Sequence, residues 1–410
     1  MFGPATLTLL SLLLLVSLLA HYAPLFLLAL ALLLAAGLSK VWERYCLTGL
    51  EFRRRLSRTR AAFGETVELE LELVNRKLLP LAWLGIEDEI PHQLPPTRGR
   101  VCDSHKPARA LLTSLIALRP YERVRRHYPI PCLARGEHVL GPVRLRTGDL
   151  FGLVNRELAL DETDTLVVYP RVVPLTALGL PSHQPIGERR TRSWLFEDPS
   201  RIAGVREHRP GDNLRRIHWP ASVRTQRLQT KVYEPTTSHK LLIFVNLSSV
   251  PGAQPSLVYD PDALELTIST AASIAAWAVA QRYQVGLSTN GLHHFSRAKV
   301  SLEPSRDPAQ LPRLLEALGR LQPIAGRRFE DILAEEARRL PFGTTVVVVS
   351  AVLAPPVAAM LLAMSRRGHA VTLVFTGRQA PNVTLDGVAM RRVGPPEAWR
   401  ELATLSLDGA

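Results

Sequence analysis

Two long apolar runs open the chain, and patterns of a different period follow them. The runs "ATLTLLSLLLLVSLLA" and "LFLLALALLLAAGLSK" are separated by "HYAP", and each approaches the roughly 17–25 residues that a helix needs to cross a bilayer. The first run lacks the preceding basic segment that a cleaved signal peptide requires. The pattern therefore predicts two transmembrane helices over residues 1–42, with a tight turn at Pro24.

Alternation with a period of two dominates the region that follows. The stretch "ETVELELELVN" places charged and apolar residues in turn, which is typical of a half-buried strand. Further short strands are separated by Gly-Glu, Gly-Pro and Gly-Asp pairs, and Ala110–Leu118 fits either a helix or a strand. Residues 43–175 are predicted to form a β-rich, antiparallel sandwich-like domain.

From residue 238 the pattern changes to strands and helices in alternation. "KLLIFVNLSS", "TTVVVVS" and "AVTLVFTG" are continuous apolar strands, whereas "PDALELTISTAASIAAWAVAQRY", "DPAQLPRLLEALGRL", "FEDILAEEARRL" and "PPVAAMLLAMSRRG" are helical. "QVGLSTNG" reads as a short strand and a turn. The alternation predicts an α/β domain over 238–385, a doubly wound parallel sheet, followed by a tail over 386–410 with one last strand.

Charge and cysteine content indicate the compartment. The chain carries 50 Lys and Arg against 37 Asp and Glu, a net charge of +13. Lys40 is the first charged residue, and six arginines follow it by residue 60. Lys and Arg next to a membrane span face the cytoplasm, so the soluble part is predicted to be cytoplasmic. The three cysteines have no Cys-x-x-Cys spacing, which agrees with a reducing compartment.

A basic stretch, "VREHRPGDNLRRIHWPASVRTQRLQTKVYE", occupies Val205–Glu234. Its Pro-Gly-Asp is predicted to form a turn, and "NLRRIHW" a short helix capped by Asp212 or Asn213. Leu214, Ile217 and Trp219 are expected to anchor the segment from its apolar side. The segment is also expected to hold its turn with charged side chains, namely Arg206, Glu207, Arg209 and Asp212.

This stretch resembles the signature of the bacterial domain of unknown function 58, whose pattern is Arg-Glu-Tyr, Pro-Gly-Asp, Arg-x-Ile-x-Trp, Ser-Ala-Arg and a strand ending in Glu. His208 and Val223 depart from it, where Tyr and Ala are usual. The matching residues are predicted to form the signature and a partner surface: Arg206, Glu207, Pro210, Gly211, Asp212, Arg215, Arg216, Trp219, Ser222, Arg224 and Glu234.

The resemblance also covers the surrounding chain. It implies two membrane spans in a bacterial inner membrane, a β-rich region, a connector over 176–237 that carries the signature, and a domain similar to von Willebrand factor type A. Members of this family are associated with MoxR-type AAA+ ATPases and with envelope proteins. The implied function is a non-enzymatic adaptor, chaperone-like or involved in assembly, that binds a protein partner and membrane lipid.

Type A domains usually bind Mg²⁺ at an adhesion site, and the resemblance places the corresponding positions here. The site needs Asp-x-Ser-x-Ser after the first strand, but this chain has Asn246 in place of the Asp, Ser248, and Val250 in place of the second Ser. Ala351 stands where a later Asp is expected, and Arg327 and Arg328 occupy a loop that would supply a Thr. Oxygen ligands of good geometry are needed for Mg²⁺, so no metal and no other cofactor is expected.

Two other functions are open to the residues. Ser248 or Ser249 as nucleophile, with His218 or the His293-His294 pair as base, would give a serine-dependent hydrolase, although a Gly-x-Ser-x-Gly elbow is missing. Residues 201–240 hold nine Lys and Arg against three Asp and Glu, a balance that suits phosphate contacts with nucleic acid. Sparse aromatics disfavour nucleic acid. The predicted membrane spans also disfavour it, and they favour a basic face toward anionic lipid.

Overall fold

The chain was analysed as a computed structural model. The structure describes residues 4–149, 155–177, 197–208, 217–235, 240–250, 258–293, 299–341, 343–379, 383–402, 404–406 and 408–409. It divides into two compact units, Met1–Tyr169 and Pro170–Ala410, called unit 1 and unit 2 here. The molecule is a mixed α/β protein with several sheets, which confirms the α/β class predicted from the sequence.

The apolar N-terminal runs form two helices in contact, α1 (Pro4–Leu19) and α2 (Ala23–Tyr45). His21, in the connection, has a φ of 53°. By length and composition α2 is able to cross a membrane, which indicates membrane association. A helix of unit 2 passes the same test, but most of its apolar window is buried inside that unit. Ala29, Ala36 and Ser39 of α2 are buried, whereas most of its leucines are exposed.

Unit 1 is built from two antiparallel sheets and one smaller sheet. The sheet orders are β1-β3-β7, β10-β9-β4-β6-β5 and β2-β11-β8. The segment that fits helix or strand by sequence is β6. The strands are β1 (Leu50–Leu56), β2 (Arg60–Ala61), β3 (Thr66–Asn75), β4 (Leu81–Pro91), β5 (Arg100–Asp103), β6 (Arg109–Leu118), β7 (Arg123–Pro131), β8 (Gly136–Leu140), β9 (Val143–Gly148), β10 (Asn155–Leu160) and β11 (Asp164–Val168).

The alternation predicted for β3 sets the core of unit 1. Val67, Leu69, Leu71 and Leu73 point inward and are almost fully buried, because alternate side chains of a strand face opposite sides. They pack against apolar side chains of β4, β6 and β7 in two clusters, one toward each end of the strands. Cys46, just after α2, lies in the cluster at the α2 end.

Unit 2 contains a sheet of order β17-β16-β15-β19-β20-β21-β23, with β18 paired to β16. Strands β16, β15, β19, β20 and β21 are parallel. The elements are β12 (Leu175–Ala177), β13 (Glu197–Glu207), α3 (Trp219–Thr225), β14 (Gln229–Pro235), β15 (Lys240–Asn246), α4 (Pro261–Ala280), β16 (Gln284–His293), β17 (Lys299–Ser305), α5 (Gln310–Gly319), β18 (Leu321–Ala325), α6 (Phe329–Ala337), β19 (Thr345–Ser350), α7 (Pro355–Arg366), β20 (Ala370–Phe375), β21 (Val388–Arg392), a 3₁₀ helix (Pro396–Arg400), β22 (Leu405–Ser406) and β23 (Asp408–Gly409).

The central strands of unit 2 are buried on both faces, as their continuous apolar sequence predicts. Leu242 and Phe244 pack with α6 and α7. Leu241, Ile243 and Val245 alternate with them and are fully buried as well, so they face the opposite side of the sheet. The helix α4 contacts β15, β16 and β19, and Asp260 caps its N-terminus.

Two sequence predictions for unit 2 need correction. The stretch "STNG" was expected to be a turn, but β16 continues through it to His293, and Asn290 is buried within that strand. Residues 386–410 were expected to be mainly a tail. They instead supply β21 to the parallel sheet and bury Trp399, whose Nε1 donates a hydrogen bond to Asp262 of α4 (3.1 Å).

Candidate functional site

The parallel sheet of unit 2 reverses its strand order at β15. The chain passes from β15 to β16 on one side, and the later strands β19, β20 and β21 follow on the other side. In open parallel sheets, ligands bind outside the carboxyl ends of the strands at such a reversal. Asn246 ends β15 and Ser350 ends β19, so the structure brings together two positions of the predicted adhesion site.

A neutral hydrogen-bond network, which we call the amide cluster (Asn246, Asn290 and Ser350), joins these strand ends. Asn246 Nδ2 donates to Ser350 Oγ (2.9 Å), and Asn290 Nδ2 donates to Asn246 Oδ1 (3.1 Å). The backbone N–H of Ser248 donates to the same Oδ1 (3.0 Å), and that of Leu247 donates to Asn290 Oδ1 (2.9 Å). Ser350 Oγ in turn donates to the carbonyl of Val352 (2.6 Å). All three cluster side chains are buried.

The donor set does not fit a divalent cation. Mg²⁺ is usually held by one or two carboxylates together with waters in a near-octahedral arrangement. The amide and hydroxyl oxygens here are neutral and already accept hydrogen bonds from the protein. Ala351 is buried and offers no side-chain oxygen. Within the described ranges, no group of three or more His, Cys, Asp or Glu side chains lies together. The amide cluster therefore stabilises the loops at the strand ends by hydrogen bonding alone.

The carboxylate of Asp260, at the start of α4, is engaged by the protein. Its Oδ2 accepts from Arg378 Nε (2.7 Å), and its Oδ1 accepts from the backbone amides of Asp262 (3.1 Å) and Ala263 (3.3 Å). These donors, Arg378 first, hold the pKa of Asp260 below its usual value. Arg378 also pairs with Glu397 near the chain end. No local sequence pattern predicts the link between Asp260 and Arg378, because these residues are 118 positions apart.

Ser249, one of the two serines considered as a nucleophile, has a structural partner. Ser249 Oγ accepts a hydrogen bond from the backbone of Asp260 (2.8 Å). His218 caps α3, since its Nδ1 accepts from the backbone of Ala221 (3.1 Å). Among the described contacts, neither Ser248 nor Ser249 has a histidine partner. The side chain of His293 and all of His294 lie outside the described part.

The signature stretch is described in part. The predicted turn and the beginning of its predicted helix lie outside the described residues, which includes Arg209, Pro210, Gly211, Asp212, Asn213, Leu214, Arg215 and Arg216. The described remainder is an antiparallel ribbon of β13 and β14 with α3 between them in sequence. Ile217 forms a single β-bridge to Thr230, and α3 begins at Trp219, so Ile217 and His218 are not helical, contrary to the prediction from the sequence.

Ser222 fixes α3 to the ribbon. Its Oγ donates to the carbonyl of His218 (3.1 Å) and accepts from the backbone of Gln229 (2.8 Å). The backbone N–H of His218 donates to the carbonyl of Gln229 (2.8 Å). His218 and Ser222, at the two ends of the first turn of α3, are thus both bonded to Gln229 of β14. The buried Ser222 therefore determines which side of α3 faces outward.

The outward side of α3 is apolar. Trp219 is 64% exposed and Val223 is 76% exposed, and residues four apart lie on one side of a helix. The expected anchoring role is therefore wrong for Trp219, whereas Ile217, which is buried, has the predicted position. We call Trp219 and Val223 the α3 face.

Basic side chains accompany the α3 face. Arg224 is exposed in the last turn of α3. Arg227 pairs with Glu207 of β13 (3.2 Å), and both are exposed. Arg206, also exposed, donates to the carbonyl of Glu207 (3.2 Å). Glu234 lies in β14.

The sequence of unit 2 matches a known protein family. Residues 204–386 match the model of the family described as "Protein of unknown function DUF58". The chain carries a DUF58 domain. The match confirms the resemblance drawn from the signature stretch, and the DUF58 domain begins on β13 and ends just before β21.

A relative from Bacillus subtilis aligns with part of the chain. The "Uncharacterized protein YeaD" of Bacillus subtilis (strain 168) is 26% identical over 247 residues, which are 60% of this chain and 57% of YeaD. The aligned region therefore spans little more than half of YeaD, and it transfers no activity to the DUF58 domain.

Similarities to solved structures are weak. The CARDB domain of the PF1109 protein from Pyrococcus furiosus is 12% identical, covers 29% of this chain and 91% of its own, and has a TM-score of 0.20. A cohesin module from Clostridium perfringens is 9% identical, covers 30% of this chain and 97% of its own, and has a TM-score of 0.22. TM-scores this low carry no inference about fold or function.

Proposed function

We propose that this chain is a membrane-anchored adaptor that binds a protein partner through the α3 face of its DUF58 domain. In this proposal α1 and α2 form a transmembrane hairpin, units 1 and 2 are cytoplasmic, and the function is binding and not catalysis. A MoxR-type AAA+ ATPase or an envelope protein is the partner class that the family resemblance implies.

The exposed Trp219 carries the proposal. A tryptophan is costly to leave in water, since a fully buried large apolar side chain contributes roughly 1.5–3 kcal/mol. Its helix is held by Ser222, so the exposure of Trp219 and Val223 is imposed by backbone hydrogen bonds. Trp, Tyr and Arg are the residues that dominate the energy of protein interfaces. A rigidly presented Trp beside arginines therefore has the composition of a binding hot spot.

Charge indicates what the partner surface contains. Arg206, Arg224 and Arg227 are exposed around the α3 face, and the stretch 201–240 has three times as many basic as acidic residues. Complementary charge increases association rates and excludes partners of the same sign. The proposed partner therefore presents an apolar pocket for Trp219 with acidic residues at its rim.

The remaining parts of the proposal concern fold and orientation. The reversal at β15 and the antiparallel edge strand β17 support a doubly wound, von Willebrand factor A-like sheet with a degenerate adhesion site at the amide cluster. The packed sheets of unit 1 support the sandwich-like domain. Basic residues directly after α2 support the cytoplasmic side.

Site-specific photo-crosslinking in the membranes of the native host tests the proposal. A photoreactive amino acid at Val223 is expected to capture a protein partner, and Trp219→Ala is expected to reduce that capture at least tenfold. Tyr259→Ala, which removes another exposed aromatic of unit 2, should leave capture unchanged. Capture of nucleic acid or lipid alone, or equal losses in both variants, would contradict the proposal.

A further inference from the structure

The end of α2 is fixed to unit 1 by polar contacts. Ser39 Oγ donates to Asp149 Oδ2 (2.6 Å), and both side chains are buried. One turn later, Glu43 pairs with Arg156 at the start of β10 (2.8 Å). These contacts fix the last two turns of α2 to the strands of unit 1. The run of exposed leucines on α2 ends at Leu38, directly before them.

Two loops lie at this same end of unit 1. Lys77 Nζ donates to the carbonyls of Tyr45 (2.9 Å) and Thr48 (2.9 Å) and also to that of Cys46, which holds the loop 76–80 against the end of α2. The side-chain amide of Asn75, at the end of β3, donates to the carbonyls of Leu79 (3.0 Å) and Arg119 (2.9 Å). The loop 119–122 is therefore joined to the loop 76–80.

The tips of these loops are apolar and exposed. Leu78 is 74% exposed and Tyr121 is 68% exposed. Tyr121 has a φ of 54°, a left-handed conformation that is uncommon for a bulky residue. The backbone thus adopts a costly conformation while its aromatic ring stays in solvent. A second surface that covers the ring of Tyr121 would explain this conformation.

Basic residues surround the two tips and the helix end. Arg119 is exposed beside Tyr121, and Lys40 and Arg44 are exposed on the last turns of α2. Lys and Arg near a membrane surface attract anionic lipid headgroups. Tyrosine is enriched at the headgroup level, because its ring is apolar and its hydroxyl is polar.

We infer that this end of unit 1, which we call the docking face (Leu78, Tyr121 and Arg119), rests on the surface of the bilayer that α2 enters. Leu78 inserts among the acyl chains, Tyr121 lies at the headgroups, and Arg119 contacts lipid phosphates. The occupant is the bilayer and not a second protein, since α2, whose exposed leucines end at Leu38, is fixed to this same end of unit 1. The inference rests on the proposed membrane anchoring of α1 and α2.

Nitroxide accessibility measured on the full chain in nanodiscs that contain phosphatidylglycerol tests the docking face. The labels are placed through Leu78→Cys, Tyr121→Cys, Leu34→Cys in the apolar part of α2, and Leu133→Cys, in a background with Cys102→Ala because the other two cysteines are buried. Leu133 is also exposed, but it follows the far end of β7, about 30 Å away along the strands.

We expect the nitroxides at positions 34, 78 and 121 to be more accessible to oxygen than to a water-soluble nickel complex. The nitroxide at position 133 should be more accessible to the nickel complex. If position 34 is in lipid while 78 and 121 behave like 133, the docking face is wrong and the anchor stands. If position 34 is also in water, the membrane anchor is wrong, and the docking face is overturned with it.

Discussion

At the scale of single residues, the amide cluster joins β15, β16 and β19 through buried polar side chains. Asn246 uses both atoms of its amide, and its partners are buried with it. We predict that Asn246→Ala lowers the free energy of unfolding by about 1–3 kcal/mol, because Asn290 and the Ser248 backbone lose an acceptor. Thermal unfolding of the full chain in detergent measures this. Ser248→Ala is the control and should stay within about 0.5 kcal/mol; equal effects would deny the cluster its role.

A second residue-scale prediction concerns Gly377, which follows β20. A Cβ at this position would collide with the backbone carbonyl of Ala351, next to the amide cluster. Gly377→Ala should therefore destabilise the fold by roughly 1–3 kcal/mol, as overpacking does. Gly394→Ala is the matched control, since its Cβ would meet only Leu402 at an ordinary 3.8 Å. A melting temperature unchanged by Gly377→Ala would mean that the loop relaxes freely.

At the scale of elements, the start of α4 combines a cap with a charge. Because the pKa of Asp260 is lowered in the fold, its carboxylate stabilises the fold above its unfolded pKa of about 3.9, and this contribution is lost as the pH falls through the folded pKa. Asp260→Asn keeps the cap and should reduce the loss of melting temperature between about pH 5 and about pH 3. Asp260→Ala, which removes the cap, should lower the free energy of unfolding at neutral pH by about 1 kcal/mol more than Asp260→Asn does. Identical acid sensitivity in Asp260→Asn and the wild type would contradict this assignment.

The elements also show what sequence patterns can predict. Strand β3 and helices α4 to α7 have a clear period of their own, so their sequences predict them. Asn-Gly is a strong local turn signal and predicts a turn at Asn290, but the pairing of β16 with β17 and β18 continues beyond Asn290 and overrides that signal. The apolar character of Trp219 predicts a buried side chain, but the hydrogen bonds of Ser222 orient α3 so that Trp219 is exposed. Contacts between distant residues decide such positions, and local periodicity does not contain them.

At the scale of the whole molecule, the family and the mixed α/β architecture followed from sequence, because a long signature and long apolar runs are specific signals. The links that tie the chain end to α4, through Trp399–Asp262 and Arg378–Asp260, did not. They join residues more than a hundred positions apart, and the last 25 residues have little periodicity. The sequence therefore predicts mainly a tail here, although the chain end adds β21 to the sheet and Trp399 binds Asp262 in the first turn of α4.

The orientation of the molecule in its membrane gives a last prediction. If α1 and α2 cross together, Lys40 and the arginines after it stay on the cytoplasmic side, and units 1 and 2 stay with them. A cysteine introduced by Val223→Cys, in a Cys102→Ala background, should therefore react with a membrane-impermeant maleimide only after spheroplasts are permeabilised. Tyr22→Cys, between the two helices, should react in intact spheroplasts. Labelling of Val223→Cys in intact spheroplasts would place the DUF58 domain outside the cytoplasm and exclude a cytoplasmic ATPase as its partner.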